Sequence, residues 1–471
     1  MGLIKNLKSK TNGFWDRFDK RDLLVKEGDP LKKYISAVTA NIEQERDFVS
    51  KLRTYIQGDY HRGVIITGLR STGKTVGILQ AIQGQNALYI SPTTRLNNIT
   101  EGDILEIIQG SSANIIVINE FSWITGTRDG LANYLAGLAK TGTKVILSGT
   151  DSAVINGLKN SEFIHRAIEL HTTFFSYDEF LRIYGLEKNN VAMREYLEKG
   201  GIFDKHIHQD FVSIRDFIKN AIIDNMASYY PEYEENQLKA AIYTIFYDCV
   251  CNLFIRDIPP VYTYDRNHLS YEEYLEILGI DSSKQLNNTL LKEIARKLSE
   301  IDVIVTLQDI RKKGHELSYI TNQAIFYHMT KCIFNLDDVD DRYTGHLYEA
   351  SVVCREYMKY IKEPERSMYE MRFLFGRKQS VDNELDFVLY DSDNAYIFEC
   401  KYSDENEFIL RDGASIVKDI IPNLLGDREV AGRFVIYQGK DKLKSSNGQQ
   451  VVYTGNWDIE FEKFKEIVKT F

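Results

Sequence analysis

The chain has 471 residues, too many for one ordinary domain, and its length alone predicts about three. With 43% hydrophobic and 27% charged residues it has the composition of a globular protein, which excludes a wholly disordered or fibrous chain. A formal net charge of −10 excludes a protein that coats nucleic acid through its overall field, although a local basic face remains compatible with it.

No apolar run approaches the roughly 18 residues that a membrane span needs, so no membrane partner is expected. The first residues lack the apolar core of a signal peptide. Five cysteines, Cys249, Cys251, Cys332, Cys354 and Cys400, are odd in number and scattered. The pair in Cys249-Val250-Cys251 has the wrong spacing for a metal. Buried thiols in a reducing cytoplasm are the expectation.

Residues 1–30 are expected to form an N-terminal tail and 31–185 the first domain. Gly63-Val-Ile-Ile-Thr-Gly68 is a short apolar run rich in β-branched residues that stops at a glycine. Leu69-Arg70-Ser71-Thr72-Gly73-Lys74-Thr75 follows, and Val76 to Ile82 reads as a helix. This is the spacing G-x-x-x-x-G-K-T in its required context, a strand before and a helix after. The glycines let backbone N–H groups turn inward around phosphates, and the helix N-terminus adds a favourable dipole. Residues 68–75 therefore read as a nucleotide cradle, with Lys74 directed at the β- and γ-phosphates and the Thr75 hydroxyl at Mg²⁺.

Asn86 to Ile90 predicts a second strand. Asn114-Ile-Ile-Val-Ile118 predicts a third, ending in Asn119-Glu120. At that strand end a carboxylate is expected to face the metal and another the attacking water. Glu120 suits the second role, as the catalytic base. Asn119 stands in the metal-facing position, where a neutral amide is a weaker partner, so nucleotide binding is a firmer expectation than turnover. A fourth strand, Lys144 to Ser148-Gly149-Thr150, ends in hydroxyl groups, and Ser148 and Thr150 are candidates to sense the γ-phosphate. No Asn-Lys-x-Asp motif appears, which favours ATP over GTP.

These segments, followed by His165-Arg166 and by Phe174-Phe175-Ser176-Tyr177-Asp178-Glu179-Phe180, resemble the prokaryotic AAA-type ATPases that carry a C-terminal DUF4143 domain. The resemblance implies ATP with Mg²⁺ at the P-loop and a phosphate contact from Arg166, in cis or from a neighbouring subunit of a homo-oligomer. It also implies a prokaryotic, cytoplasmic setting. Asn119 departs from the family pattern and puts full metal-dependent turnover in question.

From residue 186 to about 265 the aromatic and aliphatic residues recur at three- and four-residue spacings, predicting a helical lid or connector. Ile258-Pro259-Pro260 punctuates its end. Residues 266–330 predict helices at 270–280, 282–288 and 290–301, then strands at 303–307 and 316–321 around the basic turn Arg311-Lys312-Lys313-Gly314. That order is one of a winged helix, whose wing would touch DNA phosphates, or else a hairpin in a domain that docks a protein partner.

Residues 331–471 predict a last α/β domain. Gly345 to Met358 reads as a helix bearing Glu349 near its start. A strand at 367–375 precedes one at 383–389 that carries Asp386, and a third at 395–401 carries Glu399 and Lys401. Residues two apart on a strand share a face, so Glu399 and Lys401 project together. Asp386 and Glu399 could hold Mg²⁺, with Glu349 as a further ligand and Lys401 lowering the pKa of an attacking water. The set resembles the PD-(D/E)xK nuclease core, with Leu385 in place of the motif proline, and the DUF4143 domain is similar to that core. Residues 434–437 and 451–453 add strands.

The expected fold is thus an α/β multidomain chain: a P-loop parallel sheet, a helical lid, a winged helix and a PD-(D/E)xK-like C-terminal domain. Two function classes follow. One is an ATP-driven DNA-processing enzyme. The other is a non-catalytic nucleotide-dependent switch that binds another protein through a degenerate nuclease fold.

Overall fold

Continuous apolar strands belong in a sheet covered on both faces, and the N-terminal region has one. The computed structural model describes residues 23–40, 42, 44–92, 99–125, 128–150, 162–163, 167–172, 174–200, 211–254, 269–281, 286–311, 316–362, 369–374, 385–403, 425–446 and 448–455. Contacts divide the chain into two units, Met1–Phe174 and Phe175–Phe471.

The first unit runs β1 (Leu23–Glu27), α1 (Gly28–Thr39), α2 (Asp47–Gln57), β2 (Gly63–Thr67), α3 (Lys74–Ala81), β3 (Ala87–Pro92), α4 (Glu101–Gln109), β4 (Ile115–Ile118), α5 (Asp129–Lys140), β5 (Lys144–Gly149) and β6 (Ala167–His171). Strand order is β1-β3-β4-β5-β2-β6. Neighbours β3 through β6 pair in parallel, and β1 runs antiparallel on the edge of β3. Alternation along these strands splits the core in two. Ile65, Leu88, Ile90, Ile116, Ile118 and Leu147 pack with residues of α4 and α5. Val64, Ile66, Tyr89, Val117 and Ile146 pack with residues of α1, α2 and α3. Each such side chain contributes about 1.5–3 kcal/mol by leaving water. Residues 23–27, expected within a tail, form β1 because Leu23 and Val25 alternate onto the first of these cores.

The second unit opens with α6 (Tyr177–Tyr184), started by a capping box of Ser176 and Glu179. Asn189 caps α7 (Asn190–Lys199). Then come α8 (Phe211–Ile218), a wide turn over Lys219–Ile223, α9 (Asp224–Tyr229), α10 (Glu235–Phe254), α11 (Tyr271–Ile277) and α12 (Asn288–Glu300). The hairpin β7 (Ile304–Asp309) and β8 (Glu316–Ile320) precedes α13 (Gln323–Ile333) and α14 (Asp341–Tyr357). Last are β9 (Glu370–Leu374), β10 (Leu385–Tyr390), β11 (Asn394–Cys400), β12 (Glu429–Ile436), β13 (Lys442–Ser446) and β14 (Gln449–Thr454).

These strands make one sheet in the order β13-β14-β12-β11-β10-β9-β7-β8. The β7–β8 hairpin, expected as the wing of a separate domain, is a continuation of this sheet, since β7 pairs in parallel with β9 through Gln308 and Asp309. Its apolar alternation, with Val305, Leu307, Leu317 and Tyr319 buried, matches a sheet interior as well as it matches a wing. The helix expected at 282–288 and the turn at 312–315 fall largely outside the described residues. Three phenyl rings stack across this sheet: Phe387 on Phe398 at 4.3 Å between centroids, and Phe398 on Phe434 at 4.9 Å. Among the described residues no helix is long and apolar enough to cross a membrane.

Truncating the central ring, Phe398→Ala, is expected to cost about 3–5 kcal/mol. Urea unfolding followed by hydrogen exchange should place the loss in the strands β9 to β14 and leave the first unit's protection unchanged.

Candidate functional site

The turn from β2 into α3 needs backbone conformations that ordinary residues avoid. Gly68, Ser71 and Gly73 have φ of 139°, 64° and 80°. At Gly68 a Cβ would lie 1.9 Å from the Thr172 carbonyl oxygen, so no side chain fits there. This winding brings Lys74 over the loop that precedes it. Its Nζ donates to the carbonyl oxygens of Gly68 at 2.7 Å and Leu69 at 2.6 Å, and reaches Thr72 Oγ1 at 3.4 Å. Burial pulls the Lys74 pKa down to about 8; Glu120 opposes that shift, while Arg46 and Arg70 add to it. The hydrogen bonds of this buried ammonium go to neutral oxygens, an arrangement that an anion would stabilise. Arg70 is exposed, and Leu69, Ser71 and Thr75 are half-buried.

Sequence reasoning missed Arg46. It lies just before α2 and is 7% exposed. Its guanidinium donates through Nη1 to the carbonyl of Thr72, in the middle of the loop, and through Nη2 to the carbonyl of Phe174 at 3.5 Å. Within Glu45-Arg46-Asp47 nothing in the spacing separates it from a solvated helix start.

Because β5 lies between β2 and β4, the end of β5 falls between the loop and Glu120. Such a crevice beyond the carboxyl ends of parallel strands is where open α/β sheets bind ligands. Ser148 Oγ donates to Asn119 Oδ1 at 2.6 Å, and Thr75 Oγ1 lies 3.5 Å from the same oxygen. Asn119 Nδ2 donates to Ser91 Oγ at 3.1 Å. The amide is therefore oriented by three hydroxyl side chains. Glu120 sits at φ 56°, a left-handed conformation that turns the chain sharply out of β4. Its Oε2 accepts from Thr150 Oγ1 at 2.7 Å and from the Thr150 amide at 3.3 Å. The structure thus brings Lys74, Thr75, Asn119, Glu120, Ser148 and Thr150 to one crevice. Arg166 lies outside the described residues.

Residues 60–181 match the family model described as "AAA domain". This segment is similar to an AAA domain. Its fold is of the α/β P-loop type, which supports ATP binding. Solved structures resemble the chain more loosely. A Walker-type ATPase of Pyrococcus abyssi matches at 13% identity and a TM-score of 0.39, over 60% of this chain and 95% of its own. The Hsp104–ADP complex of S. cerevisiae matches at 14% identity and a TM-score of 0.28, over 59% of this chain and 40% of its own. The ORC2 protein of Aeropyrum pernix matches at 12% identity and a TM-score of 0.31, over 62% and 95%. No curated protein matches the chain in sequence.

Beyond the matched segment, the second unit holds the carboxylates picked out at its C-terminal end. On the antiparallel pair β10–β11, Phe387 faces Phe398. Asp386 and Glu399 are the next residues beyond that pair, and Glu399 acts on the Asp386 carboxyl. Lys401 Nζ lies 2.8 Å from Glu399 Oε1. Asp386 Oδ2 accepts the Cys400 amide at 2.5 Å. Glu349, from α14, accepts from the Tyr319 hydroxyl at 3.1 Å and has His346 Nδ1 3.6 Å away. Burial pushes the Asp386 carboxyl well above the usual range, and the neighbouring Glu399 and Glu349 push it further, against Lys401. The same surroundings drive the Cys400 thiol up.

These carboxylates repel one another, which a divalent cation would relieve. Each is nonetheless turned to a donor of its own, and among the described residues no group of three or more His, Cys, Asp or Glu converges as an ion cage. The donor types suit Mg²⁺; their present directions do not close around it. The cysteines are free thiols, with Cys332 half-buried and the other four buried.

Replacing the ammonium with an apolar chain of similar length, Lys74→Met, is expected to weaken ATP binding by about 10- to 100-fold, the worth of one charge-assisted contact. Isothermal calorimetry on the folded full-length variant checks this.

Proposed function

We propose that this chain binds ATP with Mg²⁺ in its AAA domain, hydrolyses it, and uses the nucleotide state to govern a nuclease-like centre in the second unit that acts on DNA. The observation that carries the reading is the buried Lys74 ammonium, wrapped by a loop of left-handed residues and bonded to neutral oxygens. A triphosphate would draw Lys74 Nζ from the Gly68 and Leu69 carbonyls onto its β- and γ-oxygens. The loop amides and the α3 N-terminus would meet the remaining charge. Thr75 Oγ1 would hold Mg²⁺, with Asn119 beside it. The ion supplies charge neutralisation across the phosphates. Glu120 would take the proton of the attacking water at a carboxylate oxygen as the γ-phosphorus gains the water oxygen and loses its bond to the β-bridging oxygen. Thr150 fixes that carboxylate, Ser148 fixes Asn119, and Arg166 would add a phosphate contact within the chain or from a second copy.

In the second unit Asp386, Glu399 and Glu349 would have to turn from their present partners to hold a divalent ion, whose contribution would be charge neutralisation at a phosphodiester. Lys401 would stabilise the charge that builds on the phosphate. Support comes from the raised carboxyl of Asp386 beside Lys401, and from the order helix, three antiparallel strands and a fourth strand parallel to the third.

A second reading is favoured by Asn119: a neutral amide at the metal-facing position prolongs the ATP-bound state, and the chain would be a switch that binds another protein without cleaving DNA. Phosphate release and Mg²⁺-dependent DNA cleavage separate the two. In the first reading Glu120→Gln binds ATP but hydrolyses it at least about 100-fold more slowly, and Asp386→Asn abolishes cleavage. Tight ATP binding by the wild type, without turnover or cleavage, would establish the switch instead.

A further inference from the structure

We infer that Arg46 is a positioning residue of the nucleotide site: by holding the Thr72 carbonyl on the α2 side of the loop, it turns the Gly73 amide toward a β-phosphate. This role lies within the first unit. It rests on the nucleotide reading of the loop and narrows the ligand to nucleotides that carry a β-phosphate.

The peptide plane decides which way the amide points. Thr72 and Gly73 are joined by a trans peptide, so the Thr72 carbonyl and the Gly73 N–H point in opposite directions. Whatever fixes the carbonyl therefore fixes the amide. Thr72 is fully buried, and the Arg46 guanidinium donates through Nη1 to its carbonyl. Arg46 immediately precedes α2, and its aliphatic stem flanks Gly73, where a Cβ would lie 3.1 Å from Arg46 Cδ. Two residues on, the Phe48 ring occupies the place that a Cβ would need at Gly77 of α3. The Arg46 guanidinium carbon stands 5.9 Å from the centre of that ring. Arg46 and Phe48 thus close the start of α2 onto two glycines one helical turn apart, and the loop is held from that side.

The Gly73 amide lies one residue ahead of α3, and among the described residues it meets no acceptor. The first bond of that helix runs from the Gly77 amide to the Gly73 carbonyl at 2.9 Å. Gly73 therefore extends by one the row of amides that a helix leaves open at its N-terminus, and anions bind such rows. In a P-loop those amides cradle the α- and β-phosphates. Turned the other way, the same peptide would present its carbonyl to the phosphate. Gly73 has φ 80°, a region that glycine enters freely, and it has no Cβ to resist rotation. Arg46 removes that freedom before a nucleotide arrives, which is preorganisation. The guanidinium is also a second cation that opposes the Lys74 ammonium, and the two are reconciled when an anion joins them.

The test uses the full-length chain with Mg²⁺ and either ADP or a non-hydrolysable ATP analogue. Nitrogen-15 in glycine and carbon-13 in threonine single out the Thr-Gly pairs, Gly73 among them, for magnetic resonance. At saturation with ADP the wild-type Gly73 amide proton should move downfield, as an N–H does on gaining an anionic acceptor. In Arg46→Met at saturation that movement should be lost. By calorimetry this variant should bind both nucleotides more weakly by one common factor of about 10, because both carry the β-phosphate. Arg46→Lys keeps a charge and a donor for the carbonyl, and should recover most of that loss. A wild-type Gly73 amide that stays in place while ADP is bound overturns the inference, whether or not either variant folds. So does an Arg46→Met variant with unchanged affinity, or one that loses the ATP analogue alone, which would make Arg46 a contact of the γ-phosphate. A wild type that takes up neither nucleotide overturns the reading of the loop instead.

Discussion

One buried ammonium organises the first unit. Lys74 is out of water, and its hydrogen bonds go to two peptide carbonyls and a hydroxyl, none of which carries charge. Moving an ammonium from water to such a place is costly, and the downward pull on its pKa expresses that cost. The loop's left-handed residues, the bare Gly68 and the Arg46 brace all serve to keep it there. A fold that holds a cation under such conditions is arranged around the anion that would join it.

The two carboxylate arrangements differ in how their groups are held. Glu120 receives two hydrogen bonds from one residue, Thr150, and acts electrostatically on the Lys74 ammonium. Asp386 shares its surroundings with two further carboxylates and a single ammonium, so its charged form is opposed by burial and by repulsion together. The first environment holds a single carboxylate by directed hydrogen bonds; the second crowds three carboxylates around one ammonium. Asn119 complicates the former, because its oxygen already accepts a short bond from Ser148.

Much of the first unit was legible in the sequence, because its inner strands β2 to β5 are buried on both faces and read as nearly unbroken apolar runs. The phosphate loop was legible because its glycines and lysine act locally, within eight consecutive residues. Arg46 was not: its role depends on a carbonyl 26 positions away and on another 128 away, and no local pattern encodes such contacts. The β7–β8 hairpin shows the limit of periodicity. Its alternating residues identify a hairpin but do not say which neighbour it joins, and pairing with β9 placed it in a sheet assembled largely from residues far downstream. Asp386 and Glu399 were legible as a pair, since a hairpin register follows from alternation. That Asp386 would spend a bond on the Cys400 amide was not.

The antiparallel strand β1 has a consequence of its own. It satisfies the outer edge of β3, an apolar strand that would otherwise end the sheet with a row of unmet amides and carbonyls. Stripped of that cover, β3 would offer a template on which a strand from a second copy could add. Residues 23–27 thus act as a guard against self-association, and any shortened version of this protein that starts beyond them risks precipitation without having lost a single group of the phosphate loop.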